Sequence, residues 1–288
     1  MAISTGVLLV SCPDCPGIVA AVTTWVGAHG GNVIDLQQHT DPSDEVFFQR
    51  VVFEIDLDDD DLARPRLSEA FAEVAERYRM EWTLHFTDER PRVAILASKE
   101  PHCLQDLLTR WRTGELAVDV VAVISNHPDH AALAEWFAVP YHHLPVVDGD
   151  KPSQEAAVRE VLEASGTELV VLARYMQILS DSFCAAHPSR IINIHHSFLP
   201  AFQGARPYQQ AHDRGVKLIG VSAHYATADL DEGPIIDQDV LRVTHRDDVE
   251  DLRRKGRDLE VTVLARAVRA HVTHHILVYG NKTVVFDD

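Results

Sequence analysis

The sequence predicts an α/β protein of two domains: a small βαββαβ unit, then a larger domain built on a mostly parallel sheet. Three observations lead there. At 288 residues the chain is too long for one average domain and comfortable for two. Up to residue 87, strand-like apolar runs and helical-period stretches follow one another as β-α-β-β-α-β. Beyond that point strand and helix patterns alternate, which implies parallel strands joined by crossover helices.

In the first segment "GVLLVS" is a short strand and "CPDCPG" a turn. Asp14 is placed to cap the following helix, and Pro16 suits its first position. "IVAAVTTWVGAHGG" has apolar residues at helical spacing and stops at Gly30-Gly31. "NVIDLQQHT" and "VFFQRVVFEIDL" are strands separated by the polar turn "DPSDE". The acidic run Asp58 to Asp61 reads as a solvated loop before a helix N-terminus. "PRLSEAFAEVAERY" is a second amphipathic helix, and "MEWTLHF" alternates as a half-buried strand.

A charged linker at 88–92, containing Pro91, leads into a second domain expected over 93–288. Its strands are "VAILAS", "VDVVAVISN", "YHHLPV", "ELVVLAR" and "IINIHH". The helices between them are "HCLQDLLTRWRTG", "DHAALAEWFA" and Gln154 to Ala164. "KLIGVSAHYAT" and "PIIDQDVLRVT" form an antiparallel pair closing one side. A long helix follows, from about Asp247 to His274, and then a hairpin turned at Gly280-Asn281.

Composition narrows the function. No apolar stretch approaches the roughly 20 residues needed to span a bilayer. Met1 to Thr5 has no basic n-region, and the apolar run after it is too short for a signal peptide. A cytoplasmic protein with no membrane partner is expected. With 26 basic and 44 acidic residues the formal charge is -18, which argues against a nucleic-acid partner. A small-molecule ligand is expected instead; an anionic one needs a local positive or amide-rich pocket. The "CPDC" pair at Cys12 and Cys15 has no second pair at zinc spacing, and reads as small residues in a strand-to-helix turn of a reduced protein.

Ligands of open α/β sheets bind outside the carboxyl ends of the strands. Arg174 to Leu179 lie after one such strand. Asn193, His195 and His196 end the next. His224 lies in the antiparallel pair, and a loop supplies Asp229, Asp231 and Glu232. Asn193 and His195 are two apart, so they share a strand face, while His196 is expected to point away and support the loop. An Asn amide and a protonated His can hydrogen-bond an oxyanion as it forms. A carboxylate can orient and deprotonate the attacking group and tune the imidazole. There is no GxSxG elbow, so the nucleophile is water or a second substrate. The pairs His142-His143, His195-His196 and His274-His275 lack metal-ligand spacing, and neither metal nor cofactor is expected.

Two family resemblances extend this reading. "CPDCPGIVAAVTTWVGAHGGNVIDLQQHT" resembles the ACT domain, a ferredoxin-like module, with Asp14, Pro16-Gly17 and Gly31-Asn32 in the family's places. That implies dimerisation, alone or with an amino-acid effector (glycine or methionine) at Asp14, Pro16, Gly17, Ile18 and Asn32. The second stretch runs from Arg190 to Val240. It resembles the Rossmann-like formyltransferases that use 10-formyltetrahydrofolate, through Asn193, His195, Ser197 to Pro200, Gly204 and Pro207, His224, and Asp231 with Gly233. The resemblance implies catalysis by Asn193, His195 and Asp231. It also implies folate contacts from Arg174, Tyr175, Met176, Ile178, Leu179, Ala228, Asp229, Leu230 and Gly233. Taken end to end, the pattern resembles the formyltetrahydrofolate deformylase family. That implies hydrolysis of the donor to formate and tetrahydrofolate, serving purine synthesis and one-carbon balance, by a homodimer or homotetramer. The alternative is transfer of the formyl group to an amine such as glycinamide ribonucleotide. The loop Lys99 to Cys103 favours hydrolysis. It has no glycine, carries Glu100, and spends a position on Pro101, a poor cradle for a substrate phosphate.

Overall fold

A computed structural model describes residues 2–57, 62–201 and 206–287. Asp58 to Asp61 and Gly204 of the sequence reading lie outside the described residues. The chain divides into two compact units. The first takes residues through Arg90 together with Thr273–Tyr279 and the chain from Val284 on. The second takes Pro91–Val272 and Gly280–Thr283.

The first unit contains β1 (Ala2–Pro13), α1 (Ile18–Ala28), β2 (Asn32–Asp41), β3 (Val46–Leu57), α2 (Ala63–Tyr78) and β4 (Glu81–Phe86). Its sheet runs β2-β3-β1-β4, antiparallel at every pairing, so the expected βαββαβ order holds. Strand alternation splits β1 between two cores. Leu8 and Val10 pack with Ile18, Val22 and Trp25 of α1 and Phe71 of α2. Leu9, on the other face, packs with Phe48 and Phe286.

Two expectations need correcting here. Asp14 does not cap α1: the N-cap is Gly17 at φ 97, without a side-chain cap. The Asp14 amide bonds the Glu45 carbonyl at 2.8 Å instead. A left-handed residue between Pro16 and Ile18 delays the helix by two residues, so Gly17 and not Asp14 takes the cap position. Second, the expected 93–288 domain gives up part of its tail. Leu277, Tyr279, Val284 and Phe286 are apolar and cover the Leu9–Phe48 face, while Gln37 and Asp287 exchange hydrogen bonds of 2.8 and 3.0 Å.

The second unit begins with β5 (Arg92–Ala97), α3 (His102–Arg112), β6 (Asp119–Ser125), α4 (Ala131–Trp136), β7 (Tyr141–His143) and α5 (Lys151–Ala164). It continues with β8 (Leu169–Leu172), α6 (Asp181–Ala186), β9 (Ile191–His195), α7 (Pro207–Arg214), β10 (Leu218–Tyr225), β11 (Ile235–Arg242) and α8 (Val249–Val272). The sheet order is β11-β10-β9-β8-β5-β6-β7. Strands β5 to β9 are parallel, and β10 runs antiparallel to both β9 and β11. Every residue of β8 and all but the first of β5 are buried, as parallel strands covered on both faces must be. The short helices α6 and α7 were not among the elements expected from the sequence. α6 starts where the Ser180 hydroxyl accepts from the Phe183 amide, and α7 starts with Pro207 in its first turn. The chain closes with β12 (Ile276–Tyr279) and β13 (Lys282–Val285), the expected hairpin.

Phe71 is fully buried, with its ring edge-on to Trp25 and to Trp82, each at 4.9 Å. Phe71→Ala is expected to cost the first unit ~3–5 kcal/mol, measured by urea unfolding followed through tryptophan fluorescence.

Candidate active site

The site forms where β9 and β10 end. Alternation along β9 turns Asn193 and His195 to one face, and both line a cavity of about 440 Å³. In the β9–β10 register Asn193 stands opposite His224. The His224 Nδ1–H donates to the Tyr225 carbonyl at 3.0 Å. Its Nε2 therefore accepts, and takes the Asn193 Nδ2–H at 3.1 Å. One N–H of the Asn193 amide remains for a ligand.

Asp231 arrives from the loop that joins β10 to β11. The loop doubles back, so that the Tyr225 amide bonds the Pro234 carbonyl at 2.9 Å. Asp231 itself sits at φ 58, a conformation that side chains other than Gly, Asn and Asp adopt rarely. Gly233 is required beside it: an added Cβ would stand 1.9 Å from the Tyr225 carbonyl oxygen. The Asp231 carboxylate then lies 3.2 Å from His195 Nδ1 and 3.8 Å from His224 Nε2. Burial alone would raise the Asp231 pKa. The His195 hydrogen bond and the nearby His195, His224 and His196 rings outweigh it and hold the carboxyl below its ordinary range. Burial pushes the His224 pKa down, against the pull of the Tyr225 carbonyl and Asp231, in keeping with its accepting Nε2. With His195 Nδ1 directed at Asp231, His195 Nε2 is buried without a hydrogen-bond partner among the described residues. An amide N–H, an imidazole nitrogen and a carboxylate thus converge on one cavity.

Arg174 shapes the opposite wall. It adopts φ 62, its carbonyl accepts from the Ser98 amide at 3.2 Å, and the Met176 amide donates to Ser98 Oγ at 2.9 Å. The end of β5 thereby holds the segment after β8. The Arg174 side chain donates to His196 Nδ1 at 2.6 Å and lies 3.3 Å from the carboxylate of Glu260. That carboxylate is 1% exposed. It also accepts from His102 Nε2 at 2.7 Å and Tyr208 Oη at 2.8 Å. Tyr208 reaches it across Gly256, where a Cβ would meet the phenol oxygen at 1.9 Å. Burial raises the Glu260 pKa, and these partners bring it below the ordinary value. His102, Cys103 and Glu260 bring metal-ligand atoms within 4.8 Å of one another, but the Arg174 guanidinium on the same carboxylate opposes a cation there.

Of the expected folate contacts, Arg174, Tyr175, Met176, Ile178, Leu179, Ala228 and Leu230 line the cavity. Asp229 and Gly233 are not in its lining; they shape the loop. The Asp229 carbonyl accepts from the Thr227 hydroxyl at 3.0 Å, and Gly233 lies against Tyr225. His196 departs from expectation. Because β9 ends at His195, strand alternation no longer governs His196, and it lines the cavity with the others. Sequence reasoning also passed over Glu260, whose one signal is Gly256 four residues earlier in an otherwise regular helix. Among the expected effector contacts, Asp14, Pro16, Gly17 and Asn32 are exposed, but Ile18 is 2% exposed and belongs to the core.

Two predictions follow from these contacts. Gly233→Ala is expected to displace Asp231 and abolish the low-field proton resonance of the His195 Nδ1–H, read by NMR. His196 is one of three pH-sensitive histidines, with His85 and His224 also pushed down by burial: burial first, then Arg174, pushes the His196 pKa from 6.5 down to about 3. The unfolded chain therefore binds a proton that the folded one refuses, and stability falls as pH drops from 6.5 towards 3. His196→Gln is expected to flatten that part of a melting-temperature profile.

Residues 91–268 match the formyl transferase family model and residues 6–72 the ACT domain model. The chain is 55% identical to a formyltetrahydrofolate deformylase of Synechocystis sp. over 98% of both chains. It is 46% identical to the crystal structure of a formyltetrahydrofolate deformylase from Pseudomonas syringae pv. tomato, with a TM-score of 0.95, covering 100% of this chain and 96% of that one. A glycinamide ribonucleotide transformylase from Symbiobacterium toebii matches 71% of this chain and 98% of its own, at 34% identity and a TM-score of 0.67. Similarity to the deformylases thus takes in both units, and the chain belongs to the formyltetrahydrofolate deformylase family.

Proposed function

We propose that the protein hydrolyses 10-formyltetrahydrofolate to formate and tetrahydrofolate. The observation that carries this reading is the group of Asn193, His195 and Asp231 gathered on one cavity, in a chain similar almost end to end to named deformylases. The mouth of the cavity suits a flat, largely apolar ligand. Met176, Ile178 and Leu230 are 57%, 59% and 56% exposed there, a patch that an aromatic ring system would cover.

In this reading the formyl oxygen rests against the free Asn193 N–H and the His195 ring. Asp231, kept ionised, orients a water and draws off its proton as the water oxygen bonds to the formyl carbon. Asn193 and His195 stabilise the oxyanion. The carbon–N10 bond then breaks, N10 keeps the electron pair and takes a proton from His195, and formate is left. No step passes through a metal or cofactor. The start of α3 supports water over an amine acceptor: it places the Glu100 carboxylate, paired with Arg257 at 3.1 Å, and a proline without an N–H where a substrate phosphate would need backbone donors, and His102 is held by Glu260.

Pure protein incubated with 10-formyltetrahydrofolate is expected to release formate without any amine present. Strict dependence on glycinamide ribonucleotide would overturn the hydrolase and favour the transferase. Asp231→Asn and His195→Ala are each expected to lower kcat by roughly 10²–10⁴ with circular dichroism unchanged; near-normal turnover in either removes these roles.

The reading extends to the first unit. Its ACT domain senses an amino acid, glycine or methionine, at the exposed turn of Asp14, Pro16 and Gly17, and pairs chains into a homodimer or homotetramer. Among the described residues no helix is long and apolar enough to cross a membrane, and the cytoplasm is the proposed location. A melting-temperature rise with one amino acid identifies the effector; none with either leaves the domain to dimerisation alone.

A further inference from the structure

A second cavity, of about 210 Å³, shares Arg174, His196 and Arg206 with the first. Its charge runs against that of the chain. Arg174, Arg206, Arg253 and Arg257 face only two carboxylates, Glu100 and Glu260. Arg174 lies 3.3 Å from Glu260, and Arg257 lies 3.1 Å from Glu100. The guanidinium groups of Arg206 and Arg253 have no ion pair among the described residues. A protein of formal charge -18 therefore places two exposed cations with no ion pair among the described residues around one small cavity. The wall common to both cavities adds a donor. His196 accepts at Nδ1 from Arg174, so its neutral ring carries its N–H at Nε2. Its ring centre is 5.1 Å from that of His195. Guanidinium groups are the side chains best matched to a carboxylate, and the volume suits an anion of a few heavy atoms.

The proposed hydrolysis makes such an anion beside His195. It also leaves tetrahydrofolate in the larger cavity, between the new formate and that cavity's mouth. We propose that the second cavity is a small-oxyanion site that receives formate while tetrahydrofolate is still bound, with the Arg174–His196 pair as the partition it passes. The proposal rests on the hydrolase reading and adds to it an order of release, formate first. Retention of the product anion by Arg206 and Arg253 makes formate an inhibitor that binds the enzyme with tetrahydrofolate in place.

Product inhibition of the full-length enzyme tests this. Formate is expected to be noncompetitive with 10-formyltetrahydrofolate, and tetrahydrofolate competitive. The formate inhibition constant is expected to rise roughly tenfold in R253A. Arg253 is exposed, so its truncation spares the core, and R206A provides a second variant. Formate competing with the substrate, or an inhibition constant unchanged in both variants, would overturn the proposal. Inorganic phosphate that inhibits in the same arginine-dependent way while formate does not would overturn the ligand assignment. A titration of [13C]formate followed by NMR needs no turnover. Line broadening by the wild type that is lost in R253A supports the site, and equal broadening removes it. A wild-type enzyme that releases no formate would instead defeat the hydrolase reading, and the titration would still report on the cavity.

Discussion

The contact between Asp231 and His195 is the constraint around which the second unit is arranged. A buried carboxylate stays ionised only when donors replace its water, and here the donor is the ring that faces the cavity. Bringing the two together takes several local sacrifices: a positive φ at Asp231, a glycine pressed against the Tyr225 carbonyl, and a register shift between Ala223 and His224. The loop is also tied from outside. Asn281 donates to the Glu232 carbonyl at 2.8 Å and Thr283 to the Ile235 carbonyl at 2.6 Å. The hairpin turn near the chain end thus braces the segment that carries the carboxylate.

Glu260 does the same service on the other wall. Two hydrogen-bond donors, from α3 and α7, and the guanidinium of Arg174 from the segment after β8 converge on it. The carboxylate is thereby satisfied, and in return it fixes the Arg174 side chain beside His196. Each of the two carboxylates therefore positions a neighbouring cavity wall. They differ in access: Asp231 lines the larger cavity and Glu260 the smaller. Separate carboxylates thus support the reaction centre and the wall that the two cavities share.

What could be read from the residues depended on the range of the interaction. Period-two and period-3.6 patterns identified both sheets and the long helices, because burial of one face repeats along the chain. The same alternation placed Asn193 and His195 together. It did not extend to His196, one residue past the strand. Asp14 had the chemistry of a cap, but Gly17 decided where the helix began, through a backbone angle that no side-chain pattern records. Glu260 was hidden for a different reason: its three partners lie at Tyr208, Arg174 and His102, far apart in sequence, so only the fold brings them to it. The motif resemblance supplied Asp231, whose position in a loop has no periodicity to reveal it.

The first unit is discontinuous, since Leu277, Tyr279, Val284 and Phe286 complete the core around Leu9 and Phe48. Synthesis on the ribosome proceeds from the N-terminus, so the apolar face carrying Leu9 and Phe48 emerges long before its cover. All of Pro91–Val272 must be translated first. The second unit's main body can therefore close while the first still exposes a sheet face, an order opposite to that of emergence. Proteolytic trimming of the last residues would reopen that face on the domain built from the chain's other end.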